Sequence, residues 1–312
     1  MKFCKYFISL TLLILICACS TTRKVEQGEI LYNGLKGVDF STPDGYKLPY
    51  GLADNITEAV DVPANKKLFW LVPLGLWTYN NIDSHSSGLK KWFYNKFAEE
   101  PIVVSDVRPE VRTKMIDEIL DNNGFFRGHS SYELVSGKNP RKAKILYKVT
   151  TGNPYLLDSI ILPSDSTFLY HIIDSVASRL PNLQKGVRFS TDSLAVARTI
   201  ISNAARNRGY YYFQPQFIEY EADSIMNPGH IALRILVADN IPYFAKQRYR
   251  TGNVTVIVNR NEKDGTPDTI SMNRGTLVQF KPSKVRPSSI DNCLSFRKGR
   301  YFSASSIDRT QT

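Results

Sequence analysis

Lys185-Gly186-Val187-Arg188-Phe189-Ser190 returns as Lys298-Gly299-Arg300-Tyr301-Phe302-Ser303. Nineteen positions after Ser190 stands Gly209, followed by Tyr210 and Tyr211; nineteen positions after Ser105 stands Gly124, followed by Phe125 and Phe126. Val149 precedes Pro154-Tyr155 by five positions, as Val237 precedes Pro242-Tyr243. Spacing that repeats in this way marks one supersecondary unit used several times. Nineteen positions beyond Ser303 falls past Thr312. The third copy is therefore expected to stop in mid-helix, and the chain is expected to be the front part of something longer.

The hydrophobic pattern fills in the unit. Ser105 to Asn123 reads as a helix with Met115, Ile116, Ile119 and Leu120 on one face, and Ser190 to Arg208 places Ile200, Ile201, Ala204 and Ala205 at the same offsets. Ser, Thr and Asp at the starts suit N-terminal capping, and the closing Gly suits the left-handed position after a helix. Two strands follow each helix, at about 128–135 and 143–149 and again at about 212–220 and 231–237, with Gly137 to Pro140 and Asn227-Pro228-Gly229 as turns. Ala143, Ile145, Tyr147 and Val149 alternate, as do Ile231, Leu233, Ile235 and Val237, which is the period of a half-buried hairpin. A strand opens each unit: about 28–40 with a turn near Asn33-Gly34, then 155–162, then 243–258. Short helices at 51–60 and 166–180 complete the order strand, helix, helix, strand, strand. The fold class is α+β, a three-stranded sheet with two helices on one face. Such a sheet keeps an exposed edge, a template for pairing with an extended chain.

The ends are distinctive. Lys2, Lys5 and the apolar run Phe7 to Ile16 read as an export signal over residues 1–18, too short to cross a bilayer. Ile16-Cys17-Ala18-Cys19 resembles a bacterial lipobox, which implies that Cys19 carries lipid and that 19–26 is a polar tether. The first unit then spans 27–150 with an aromatic insertion at about 61–104, the second 151–240, and the incomplete third 241–312. In the insertion, Trp70, Trp77 and Tyr79 are candidate partner-docking residues, weighed against a packing role.

Net charge is +11, or +9 without Lys2 and Lys5, and the positives are scattered. An exported chain of this kind fits an anionic membrane surface better than nucleic acid. Of four cysteines, Cys4 and Cys17 leave with the signal and Cys19 takes lipid. Cys293 stays as a small buried hydrophobe, with no intrachain disulfide. His85, His129, His171 and His230 lack metal-ligand spacing, and neither a nucleophile turn nor a Gly-rich phosphate loop occurs. No enzyme activity, catalytic residue, metal or cofactor is expected.

The unit order, the Gly-x-x-Phe-Ser start at Gly186 and its counterpart at Gly299, the Gly-aromatic-aromatic ends and the Pro-Tyr junctions together resemble POTRA domains. These form the periplasmic arm of BamA/TamA-type outer-membrane assembly proteins. The lipobox with Trp92-Phe93-Tyr94-Asn95-Lys96-Phe97 to Pro101 resembles the TamA-like lipoprotein branch, TamL. The resemblance implies an outer-membrane protein facing the periplasm that assembles or translocates other proteins, followed by a barrel that these residues do not supply. It implies unfolded β-barrel clients, a TamB-like partner spanning to the inner membrane, and membrane attachment through Cys19. The alternative is a stand-alone lipid-anchored scaffold that docks a folded periplasmic partner.

Overall fold

A computed structural model describes residues 21–67, 73–163, 166–224, 227–258, 266–280 and 285–311. The signal, Cys19 and Trp70 lie outside the described residues. The chain divides into two bodies, 1–154 and 155–312.

The first body is one α+β unit. Its elements are β1 (Leu31–Ser41), α1 (Leu52–Val60), α2 (Leu74–Asn81), α3 (Leu89–Phe97), α4 (Val104–Val107), α5 (Pro109–Asn122), β2 (His129–Ser136) and β3 (Lys142–Thr150). The sheet order is β1-β3-β2, with β3 parallel to β1 and antiparallel to β2. Leu52, Ile56 and Val60 fall four apart on α1 and are buried. They meet Ile116 and Leu120 of α5 and the inward residues Ile145, Tyr147 and Val149 of β3.

Two sequence expectations change here. The turn near Asn33-Gly34 is an irregularity inside one continuous strand: the register with β3 shifts between Tyr32 and Leu35 and again before Gly37. The helix expected from Ser105 to Asn123 is broken at Arg108, which takes φ 52° before Pro109. A residue before proline is pushed out of the right-handed helical region, so the helix restarts at Pro109. Its first short turn is capped by Asp106, whose carboxylate accepts the Val103 N–H at 3.2 Å. Ser105 instead donates to Glu29 at 2.8 Å.

The aromatic insertion folds back on the start of the described chain. Leu76 of α2 packs with Val25, Leu31 and Val103. The Lys24 N–H donates to Asn80 at 2.9 Å, and the Lys24 ammonium lies 4.9 Å from the Tyr79 ring centroid. Thr21, Thr22 and Val25 are buried. The segment read as a tether is thus docked onto the unit from Thr21 onward.

The second body opens with the same unit: β4 (Leu156–Ile161), α6 (Phe168–Ala177), α7 (Thr191–Arg206), β5 (Ile218–Asp223) and β6 (His230–Val237), in sheet order β4-β6-β5. Leu194, Ala197, Ile201 and Ala205 form the buried stripe of α7. They pack with Ile172 and Ile173 of α6 and with Ile231, Leu233 and Ile235 of β6. The Ser190 side chain accepts the Ser193 N–H at 3.4 Å as the N-cap. Met115 and Ile200, placed on the core faces by pattern, are 40% and 41% exposed, while the next residues, Ile116 and Ile201, are fully buried.

Both long helices end alike. Gly124 and Gly209 take φ 82° and 108°. The Phe125 N–H then donates to Leu120 at 2.9 Å and the Tyr210 N–H to Ala205 at 3.3 Å, which closes the last turn. The first aromatic of each pair is buried and the second, Phe126 or Tyr211, is exposed.

The third copy departs from the expected order. After a short 3₁₀ turn at Tyr243–Lys246 come β7 (Thr255–Val258), β8 (Asp268–Ser271), β9 (Thr276–Gln279), α8 (Pro287–Cys293) and α9 (Ala304–Gln311). A hairpin stands before the helices and completes a sheet, β7-β9-β8. The Arg274 guanidinium donates to the carbonyls of Asp291, Asn292 and Leu294 at 3.2, 3.1 and 2.6 Å, tying the hairpin turn to the end of α8. Cys293 is exposed, contrary to its reading as a buried hydrophobe, because α8 turns Asp291 inward instead. Asn207, at the end of α7, accepts the Ser305 N–H at 2.8 Å and so caps α9. Arg248 donates to the Arg208 carbonyl at 2.8 Å and lies 3.5 Å from the Tyr301 ring centroid.

Candidate functional site

The sheets decide where another chain could join. In each copy the segment before the long helix pairs with the start of the first strand. Tyr32 donates to Ile102 and Val104 to Ile30, both at 2.9 Å. Leu157 donates to Val187 at 2.7 Å and Phe189 to Tyr155 at 3.0 Å. Thr251 donates to Arg300 at 2.8 Å and Phe302 to Tyr249 at 2.9 Å. The phrase repeated at Lys185 and Lys298 is this pairing segment. In the two complete units it occupies part of one sheet edge, which leaves the outer hairpin strand as the open edge, and in the third copy it pairs with the residues leading into β7.

In the two complete units those strands are β2 and β5. Among the described residues, no strand pairs with the far side of either. On β2, Ser130, Tyr132 and Leu134 turn toward the helices, and Ser130 donates to the Thr113 carbonyl of α5 at 2.9 Å. His129, Ser131, Glu133 and Val135 line the opposite face. Glu133 and Lys148 of β3 form an ion pair at 2.6 Å. The hydrogen bond from Lys148 holds the Glu133 carboxyl below its ordinary pKa, and the same bond raises the Lys148 ammonium. Both groups are about half exposed, so the pair orients more than it stabilises.

The β5 edge is acidic. Glu219, Glu221 and Asp223 alternate along six residues, and Glu221 meets Arg234 of β6 at 3.4 Å. Charged edges resist pairing with further strands. The register makes the comparison residue by residue: Tyr132 opposes Tyr147, and Tyr220 opposes Ile235. Ser131, Glu133 and Val135 thus correspond to Glu219, Glu221 and Asp223. The sequence pattern marks the sheets but not this difference, since strand charges carry meaning only once the register shows which strand is outermost.

Of the docking candidates, Trp77 and Tyr79 sit on α2 and are half-buried. Tyr79 stacks with Tyr94 of α3 at 6.4 Å in addition to its Lys24 contact. Among the described residues, no group of three or more His, Cys, Asp or Glu is placed to hold a metal, and no helix is long and apolar enough to cross a membrane.

No family model matches the chain, and no curated protein does either. Solved structures are similar. POTRA3-5 of BamA from Haemophilus influenzae shares 11% identity over 92% of this chain and 86% of that one, with a TM-score of 0.39. POTRA1-3 of Omp85 from Anabaena shares 11% over 91% and 84%, with a TM-score of 0.28. The N-terminal domain of Omp85 from Thermosynechococcus elongatus shares 9% over 92% and 85%, with a TM-score of 0.27. At that identity no residue role carries over.

Proposed function

We propose that this chain is the lipid-anchored periplasmic arm, of the POTRA class, of an outer-membrane protein assembly or translocation factor. It holds extended strands of unfolded β-barrel clients by adding them to the edge of β2. The observation that carries the reading is the open edge of β2, eight residues long and with one carboxylate on its solvent face. Main-chain hydrogen bonds along such an edge supply affinity without demanding one sequence. Acylated Cys19 keeps the arm at the outer membrane. Trp77, half-buried on α2, is the contact offered to a TamB-like partner spanning to the inner membrane.

The test uses a synthetic barrel-strand peptide and its backbone N-methylated twin, which keeps the side chains but loses N–H donors. A photoreactive residue at Ser131 should capture the first peptide and not the second. Equal capture of both peptides would overturn edge pairing. Capture of neither, with tight binding to one folded periplasmic protein, would favour the scaffold reading.

A further inference from the structure

We infer that the lysine-rich end of the first sheet is a docking surface for an anionic phospholipid leaflet. The inference rests on the reading of Cys19 as the lipid-bearing residue and adds a second membrane contact to it.

A shallow groove of about 390 Å³ lies where the β2–β3 hairpin meets β1. Lys36, Lys138, Lys142 and Lys144 line it, with Asn33 and Asn139, and no carboxylate does. The pleat explains the clustering. Ala143 and Ile145 point into the core, so Lys142 and Lys144 emerge together on the solvent face. Among the described residues, the ion pair on this face is Lys148 with Glu133, on which Lys36 also acts from a distance, and Lys138 and Lys144 take part in no ion pair.

The groove lies beside the start of the described chain. Lys142 and Asn33 also line a second cavity, of about 200 Å³, whose wall includes Thr21 and Lys67 and again no carboxylate. Lys67 donates to Asn33 at 3.0 Å. The next residue of the hairpin, Arg141, donates to the Val25 carbonyl at 2.7 Å and fixes the segment there. Thr21 is buried, and Cys19 stands two positions before it. Two residues span at most about 7 Å. The field of an anionic leaflet decays over about 8 Å at physiological salt. An acyl chain on Cys19 therefore brings these lysines within reach of the headgroups. One lipid signal is reinforced by a basic patch, the two-signal anchoring that a single weak contact does not supply.

The experiment uses the mature chain with Cys19→Ser, so that no acyl chain contributes. Partitioning is measured onto phosphatidylcholine vesicles with and without phosphatidylglycerol. The expected result is binding that needs phosphatidylglycerol and weakens with salt. Each lysine contributes about fivefold, so Lys36→Gln, Lys138→Gln and Lys144→Gln combined should lower partitioning on the order of a hundredfold. The corresponding three Lys→Arg changes should retain it. A control that neutralises Arg179, Lys246 and Lys298, equal in charge but in the second body, should leave it unchanged.

Equal loss in the control, or no loss in the lysine triple, overturns the proposal. So does full displacement by inorganic phosphate at matched ionic strength, which would mark a soluble-anion site. Mass spectrometry of the unaltered protein asks separately whether Cys19 is acylated. An unmodified Cys19 sinks the anchoring reading, whereas failed vesicle binding with an acylated Cys19 sinks only the patch.

Discussion

The first and second units share their cores and differ at their edges. Ile145 and Leu233 occupy the same position of the middle strand, four before Val149 and Val237, and both are fully buried. The outer strands carry Ser131 and Val135 in one unit and Glu219 and Asp223 in the other. Packing constrains the inner face to apolar shape, while the solvent face is left to interactions. The difference teaches that one scaffold is used twice, once with an outer strand carrying a single solvent-face carboxylate and once with an outer strand carrying three.

The strongest way to break this comparison is to show that the cores are unequal. Ile145→Ala and Leu233→Ala each remove a fully buried branched side chain next to a long helix. Each should cost about 2–5 kcal/mol. Denaturant unfolding of the full chain, with hydrogen exchange read separately on β3 and β6, checks this. A substitution that leaves its own sheet's protection unchanged shows that the matched positions are not equivalent.

A sharper test exchanges the edges. Ser131→Glu with Val135→Asp gives β2 the carboxylate pattern of β5. Client-strand affinity should drop roughly tenfold, at about 0.2–1 kcal/mol for each unfavourable cross-strand charge. The reciprocal Glu219→Ser with Asp223→Val should open β5 and raise the peptide stoichiometry from one site to two. Unchanged titration curves for both variants would remove charge as the basis of the distinction.

What the sequence disclosed and what it hid follow from the range of each signal. The caps and glycine ends of the long helices are local, so Ser190, Gly124 and Gly209 were readable from spacing. The break at Arg108 was also local, but the run from Ser105 to Asn123 masked Pro109. The hairpin β8–β9 gives a weak signal because its strands are four residues long and the repeated unit places a helix next. Its turn signal, Asn273-Arg274-Gly275 between Thr269-Ile270 and Leu277-Val278, was present. The lysine groove assembles residues from β1, the hairpin turn and β3. The tertiary register alone brings them together.

The smallest expected effect concerns one core position where the units differ. Tyr147 stands where the second unit has Ile235. Its hydroxyl is buried and has no hydrogen-bond partner among the described residues, whereas Tyr32 beside it donates to the Val62 carbonyl at 3.1 Å. A buried hydroxyl without a partner is a net cost, so Tyr147→Phe should stabilise the first unit by about 1 kcal/mol. Burial pushes the Tyr147 and Tyr32 phenols from 10 up to about 12. Between those values the unfolded chain releases protons that the native state keeps. The unfolded state then binds fewer protons, and stability falls as pH rises from about 10 through 12. Below pH 10 the contribution is fully present. In the second unit burial pushes Tyr220 up to about 12 and raises Tyr210 as well, but neither is on the middle strand of its sheet, where Tyr147 stands. The first sheet should therefore lose hydrogen-exchange protection before the second on alkaline titration, and Tyr147→Phe should narrow the gap. If the second sheet opens first, or the variant leaves the order and spacing of the two transitions unchanged, Tyr147 is not the residue that separates them.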